Sequence, residues 1–329
     1  MPVNKILKYL LIGIVPVLLL VLFIFSTSTD IINRWREFTE NYRIYALDLP
    51  EKVTFANEQL PLTILDVRER LDRELLVNTY WQSQTLFLIK RKERWFPVIE
   101  PILKAHNIPD DFKYLALAES GLTNAVSPSG AAGFWQFLEA TGKQYGLEIN
   151  SEVDERYHLE KATVAACAYL NEAYGIFKNW SLVAASYNMG IDGIKSQLEN
   201  QGASDYYDLL LVEETARYVF RIVALKEICS NPLHYGFHLR KRDLYPPYAF
   251  KLVMVDSSVT DLADFALSQG INYKELKLLN PWLRTPALTN KSKKKYSIKI
   301  FTGPKSVLSK QAADTMWIKS FPEGDFHRE

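Results

Sequence analysis

From about Gln82 to Pro232 the apolar residues of this chain recur at helical spacing almost without interruption, and the breaks carry Gly, Pro or Asn. Beyond Tyr245-Pro246-Pro247 the period changes. Residues 250–255 (FKLVMV) and 296–301 (YSIKIF) read as strands, and residues 259–268 and 273–279 between them read as two short helices. The pattern predicts a mainly α chain: a helical domain over 82–237, then a small βααβ unit over 245–302. Before the helices, 31–81 reads as a lead-in segment, extended and then helical around VRERLDRELL, with Val67, Leu71, Leu75 and Leu76 on one face. The tail from 303 to 329 has no strong pattern. A length of 329 residues accommodates one large domain and a smaller one.

The segment 1–30 reads as a membrane anchor or signal segment. Residues 9–25 (YLLIGIVPVLLLVLFIF) form an uncharged apolar run preceded by Lys5 and Lys8. A spanning helix needs about 20 apolar residues, with a lower limit near 17, so the run suffices. Lysines on the short N-terminal side favour keeping that end cytoplasmic. The run exceeds the usual apolar core of a cleaved signal, is followed by FSTSTD without an Ala-x-Ala site, and has no cysteine nearby for lipid attachment. The expectation is an exported protein held to the inner membrane through residues 6–25, with everything after Asp30 on the periplasmic side of the cell envelope.

Charge and cysteine usage narrow the function classes. Lys+Arg 39 against Asp+Glu 38 offers no basic field, which argues against nucleic acid as a partner. Cys167 and Cys229 lie in apolar helical stretches and read as small buried residues rather than a disulfide framework. The five histidines never reach HExxH spacing, so no metal is expected.

One carboxylate stands on the wrong face of a helix. In IPDDFKYLALAESG, Pro109 and Asp110/Asp111 signal a start and Gly121 a stop. Phe112, Leu115 and Ala116 mark the buried face, and Glu119 falls on it at i+7. Burial and the negative end of the helix dipole both disfavour ionisation, so the pKa should rise. A carboxylic acid held protonated near neutral pH suits proton donation to a glycosidic oxygen. A structural glutamate paired to a buried arginine gives the same periodicity. Downstream, SPSGAAGFWQF (127–137) pairs a glycine turn with an aromatic cluster holding Gln136. Its small residues would let backbone approach a ligand, and Trp135 could wall a sugar site. AASYNMG (184–190) then places Tyr187 and Asn188 at a helix end. EETARYVFRIVALKEI (213–228) puts Glu214 in the first turn of a long helix, where a favourable dipole contact is the plain alternative.

In this order, Glu119-Ser120, GAAGFWQF, ASYNMG and ETARYV resemble the lytic transglycosylases of the lysozyme-like superfamily, the glycoside hydrolase family 23 type. The resemblance covers roughly 82–232. It implies a goose-type lysozyme-like helical fold and cleavage of peptidoglycan glycan strands at the bond between N-acetylmuramic acid and N-acetylglucosamine. It also implies Glu119 as catalytic acid and then base, with Ser120, Ser127, Gln136 and Tyr187 at the sugar site and Asn188 and Glu214 further back in the cleft. Most glycosidases use two carboxylates, and no partner stands out. Glu139 and Glu148 read as surface charges and Asp154/Glu155 as a helix start. In the family the substrate's own 6-hydroxyl closes a 1,6-anhydro ring, which needs neither a second carboxylate nor a cofactor.

Residues 250–301 resemble a degenerate LysM module: Asn280-Pro281-Trp282-Leu283 matches its NPxL turn and YSIKI its closing strand, while Asp256-Ser257-Ser258 departs from its usual first turn. That resemblance implies tethering to N-acetylglucosamine-containing chains, against a purely structural appendage. Lys291, Lys293, Lys294 and Lys295 read as a solvated loop. A hydrolytic muramidase on the same fold and a non-catalytic wall-binding scaffold are the alternatives. The scaffold predicts loss of the acid at 119, which is present.

Overall fold

The computed structural model describes residues 44–303. The segment read as a membrane anchor and the tail beyond 303 lie outside the described residues. Among those described, no helix is long and apolar enough to cross a membrane.

A two-residue hairpin, β1 (Thr54–Phe55) and β2 (Glu58–Gln59), leads into α1 (Leu65–Tyr80), which buries Val67, Leu71 and Leu75 as its spacing predicts and leaves Leu76 half-buried. There follow α2 (Gln82–Ala105), α3 (Lys113–Ser120), the short α4 (Glu139–Gln144), α5 (Leu159–Phe177), α6 (Trp180–Met189), α7 (Ile191–Gln201) and α8 (Glu213–Ser230). α8 is the central helix, packing against α1, α3 and α6, and its buried residues run from Thr215 to Cys229. Both cysteines are buried, and burial pushes each thiol up to about 12.

The segment before α2 belongs to this packing. Phe55 is buried against the Phe112 ring. Glu58 accepts bonds from the Trp180 and Ser181 amides at 2.6 and 3.0 Å, so a side chain from β2 satisfies orphan donors at the start of α6. Asp111 accepts from the Ala56 amide and the Lys226 ammonium, both at 2.7 Å, tying the hairpin to α8.

The βααβ unit comprises β3 (Phe250–Val255), α9 (Leu262–Ser268), α10 (Tyr273–Leu279) and β4 (Tyr296–Phe301), with β3 and β4 antiparallel from Phe250↔Phe301 to Val255↔Tyr296. α9 starts three residues later than the spacing suggests. Val259 is taken into a bridge with Leu288, and the Asp261 carboxylate caps the helix by accepting from the Ala263 and Asp264 amides. Asn280 of the NPxL turn is buried; its side chain bonds Leu276 O, Lys299 O and the Lys299 amide, joining the end of α10 to β4.

This unit is joined to the helices through residues 148–160. The Asp154 amide donates to Trp282 O at 2.9 Å, the Arg284 amide to Glu152 O at 2.7 Å and the Thr289 amide to the Glu152 carboxylate at 2.9 Å. Ala132, Val153 and Tyr157 share the core of the βααβ unit. Two charges read as solvated are recruited here. Glu148 accepts from the Tyr296 hydroxyl at 2.9 Å and pairs with Lys294. Glu139 does stay at the surface, paired with Lys143 at 2.6 Å.

Candidate active site

Asp110–Phe112 form a single 3-10 turn that continues as α3, and Gly121 ends the helix at φ 59°. That left-handed conformation is the one glycine adopts without strain. Phe112, Leu115 and Ala116 are fully buried, and Glu119, half-buried, lies one turn further along their face in the last helical turn.

Desolvation is the largest influence on Glu119, pushing its carboxyl up to about 7. Two groups on α8 oppose it: the Tyr218 hydroxyl donates to Oε1, and the Arg221 guanidinium contributes positive charge. The negative charge of Glu214 acts with burial. Tyr218 is itself buried, and burial together with the charge on Glu119 holds its phenol far above its ordinary value, so it remains a donor.

The loop after α3 is held by its own polar side chains. The Ser120 hydroxyl donates to Phe134 O at 2.9 Å and the Gln136 amide to Gly133 O and Ala125 O at 2.7 and 3.1 Å. Gln136 itself takes φ 49°. Ser127 Oγ accepts from the Ala131 amide at 3.0 Å and faces Ser129 Oγ. The Tyr187 hydroxyl donates to Trp135 O at 2.8 Å, and burial, then the charge on Glu119, raises its phenol. Glu119, Ser120 and Tyr187 therefore converge around Phe134 and Trp135. Asn188 and Glu214 meet at the α6–α8 junction, where the Asn188 amide donates to Glu214 at 3.3 Å and Thr215 donates to Asn188 Oδ1 at 2.7 Å. Ser127 sits on the loop tip, bonded within the loop.

Two features of this loop differ from the sequence expectation. Trp135 is fully buried, its indole N–H bonded to Thr163 at 2.9 Å, so it is core and not a sugar wall. Gly133 permits a close approach, but to the protein's own backbone: at φ 80°, a Cβ there would sit 1.9 Å from Arg156 O. Arg156, bonded to Gly130 O at 2.9 Å and to Asp154, braces the same loop, and Asp154 caps the short turn Glu155–Tyr157. The residues that sequence reasoning missed are Tyr218 and Arg221. The first lay inside ETARYV, four residues after Glu214 and so on its helix face, which was the available signal.

Residues 97–210 match the family model described as the Transglycosylase SLT domain. The chain carries a transglycosylase SLT domain. Residues 251–306 match the soluble lytic transglycosylase C-terminal LysM-like domain. Curated relatives include the membrane-bound lytic murein transglycosylase D of Escherichia coli (strain K12), 29% identical over 243 residues, covering 71% of this chain and 52% of the relative. The protein of the same name from Escherichia coli O6:H1 gives the same figures. The chain thus spans about half the length of the curated relatives it matches. Among solved structures, the 70 kDa soluble lytic transglycosylase from Escherichia coli is similar over 54% of this chain and 33% of that one, at 17% identity and a TM-score of 0.39.

Glu119, Ser120, Ser127, Gln136, Tyr187 and Asn188 all fall inside the SLT match; Glu214, Tyr218 and Arg221 fall after it. The groups that set the protonation of the SLT-domain glutamate therefore come in part from α8, beyond the matched stretch. Behind them, buried Glu74 of α1 accepts from Arg217 at 2.6 Å and Arg73 at 2.9 Å, with Arg221 at 3.9 Å.

Proposed function

We propose that this protein is a peptidoglycan lytic transglycosylase with Glu119 as its single acid/base. The observation that carries the reading is a half-buried carboxyl on an SLT domain, held protonated to about pH 7 and hydrogen-bonded by Tyr218. In this reading Glu119 donates its proton to the glycosidic oxygen between N-acetylmuramic acid and N-acetylglucosamine, and that bond breaks as the leaving 4-hydroxyl forms. The acetamido group of the muramic acid residue assists at the anomeric carbon. The ionised Glu119 then takes the proton of the same residue's 6-hydroxyl, whose oxygen bonds to the anomeric carbon and closes the 1,6-anhydro ring. A tethered nucleophile has a high effective concentration, so a second carboxylate is not needed. Glu214 supports this division of labour: it is exposed, bonded to Asn188, and acts on Glu119 as a negative charge that favours the protonated form.

Ser120, Ser127, Gln136 and Tyr187 shape the sugar site by fixing the 125–137 backbone. Asn188 and Glu214 set the far edge of the cleft. The domain division 82–237 and 245–302 is part of the same proposal, as is attachment to the inner membrane through residues 6–25 with the enzyme on the periplasmic side. The word "membrane-bound" in the relatives' name supports an envelope address.

The test is mass spectrometry of muropeptides released from purified peptidoglycan by wild type and Glu119→Gln. The expected result is anhydro-muropeptides from wild type and none from the variant. Reducing ends without anhydro ends would make the enzyme a hydrolytic muramidase, and release that survives Glu119→Gln would overturn the site.

A further inference from the structure

The helical domain and the βααβ unit with its linker line a cavity of about 220 Å³ that the acid/base chemistry does not use. Its helical side is built from Arg94 and Trp95 of α2, the Leu122–Asn124 loop and Phe134; its other side from Tyr248, Phe250 and the Pro281-Trp282 turn. We infer that this seam binds one saccharide ring of the glycan strand, remote from the scissile bond, stacked on Trp95, Tyr248 and Phe250. The inference rests on Glu119 being the acid/base of a glycan-cleaving enzyme.

Three features support it. The first is continuity with the Glu119 site. Leu122 follows Glu119 by three residues, and with about 3.8 Å between successive Cα atoms the cavity wall begins within about 11 Å of that residue. The intervening chain is fixed: Thr123 donates to Ser120 O at 2.7 Å, Ser120 to Phe134 O, and Arg91 of α2 to Gly121 O at 3.1 Å.

The second is the chemistry of the walls. Trp95 and Tyr248 are half-buried and Phe250 is exposed, so aromatic surface faces the cavity, as suits the apolar face of a pyranose. Arg94 donates to Pro246 O at 2.8 Å and to the Tyr248 hydroxyl at 2.9 Å, with its guanidinium 4.1 Å over the Tyr248 ring. A guanidinium has five N–H donors, so further donors remain for a ring hydroxyl or an acetamido carbonyl. The other cation at the wall, Lys299, is neutralised by Glu160 at 2.5 Å. A mostly apolar cavity whose guanidinium keeps spare donors suits a sugar ring with hydroxyl and acetamido acceptors. Its volume, below the roughly 300–1,000 Å³ that encloses drug-sized ligands, fits one ring.

The third is preorganisation. The two walls are joined by backbone bonds between 152–154 and 282–284, and the linker by Tyr248, whose ring meets Trp95 at 5.9 Å and Phe301 at 6.3 Å. A cavity that does not close on release loses little ordering entropy when it binds.

The experiment uses the full chain carrying Glu119→Gln, so that no probe is consumed, and titrates it calorimetrically with β-1,4-linked N-acetylglucosamine oligomers of increasing length. Affinity should rise with length until the seam is reached. Tyr248→Ala, and separately Asn124→Trp at the cavity mouth, should weaken the longest oligomers about three- to tenfold while leaving the shortest unchanged. Thermal melts establish that each variant is folded. Equal weakening at every length, no effect of either substitution, or no binding of any oligomer overturns the seam site. Retained glycan cleavage by Glu119→Gln would instead sink the reading of Glu119, whatever the titration gives.

Discussion

Replacing Tyr218 by Phe removes one hydroxyl from a buried site and little else, so its effect on Glu119 can be worked out in advance. The hydroxyl donates to Oε1 and favours the ionised carboxyl, opposing the desolvation that holds it near 7. A hydrogen bond to a charged group contributes about 1.5–3 kcal/mol, and 1.36 kcal/mol corresponds to one pH unit, so Tyr218→Phe should raise the Glu119 pKa by about one to two units. In the proposed mechanism Glu119 enters the reaction protonated, so its ionisation in free enzyme should set the alkaline limb of kcat/KM. The assay is the initial rate of anhydro-muropeptide release across pH for wild type and variant. The variant should keep its activity further into alkali, its limb displaced upward by that amount. A limb that stays in place or moves to lower pH would refute the reasoning, because either the bond does not stabilise the carboxylate or the limb belongs to another group. Arg221, untouched, continues to pull in the same direction as the lost bond, so the shift should not reach the value for desolvation alone.

Glu119→Gln should also change stability with pH. A folded-state pKa raised to about 7 from 4.5 means the native protein holds a proton that the unfolded chain gives up, so stability is full below about pH 4.5 and falls as pH rises through 7, by about 3 kcal/mol. The variant escapes this loss, so its melting temperature should exceed that of wild type at about pH 9 and match it at about pH 4. Gly133→Ala places a methyl 1.9 Å from Arg156 O at φ 80° and should cost more than about 2 kcal/mol in urea unfolding. Asn280→Ala removes three hydrogen bonds made by a buried side chain and should destabilise by about 3 kcal/mol, with protease cleavage appearing first between α10 and β4.

What the sequence made legible was local. Glu119 on the buried face of α3, Gly121 at the helix stop and the two strands of the C-terminal unit arise from period and punctuation, which need no knowledge of partners. What it concealed was long-range. Tyr218 meets Glu119 across 99 residues and Glu148 meets Tyr296 across 148, and periodicity carries no signal for either pairing. Trp135 and Gly133 had the residue types of a sugar site, yet one is needed for Thr163 and the other for Arg156 O. The same residue types serve a ligand or the chain's own backbone, and only the fold decides which. Glu74 extends the point to charge. A buried carboxylate on α1 pairs with Arg217 and lies 3.9 Å from Arg221, the guanidinium whose charge acts on Glu119, so a helix that precedes the SLT match borders the surroundings of that glutamate. A segment readable only as a lead-in is thus structurally continuous with the groups that tune the proposed acid.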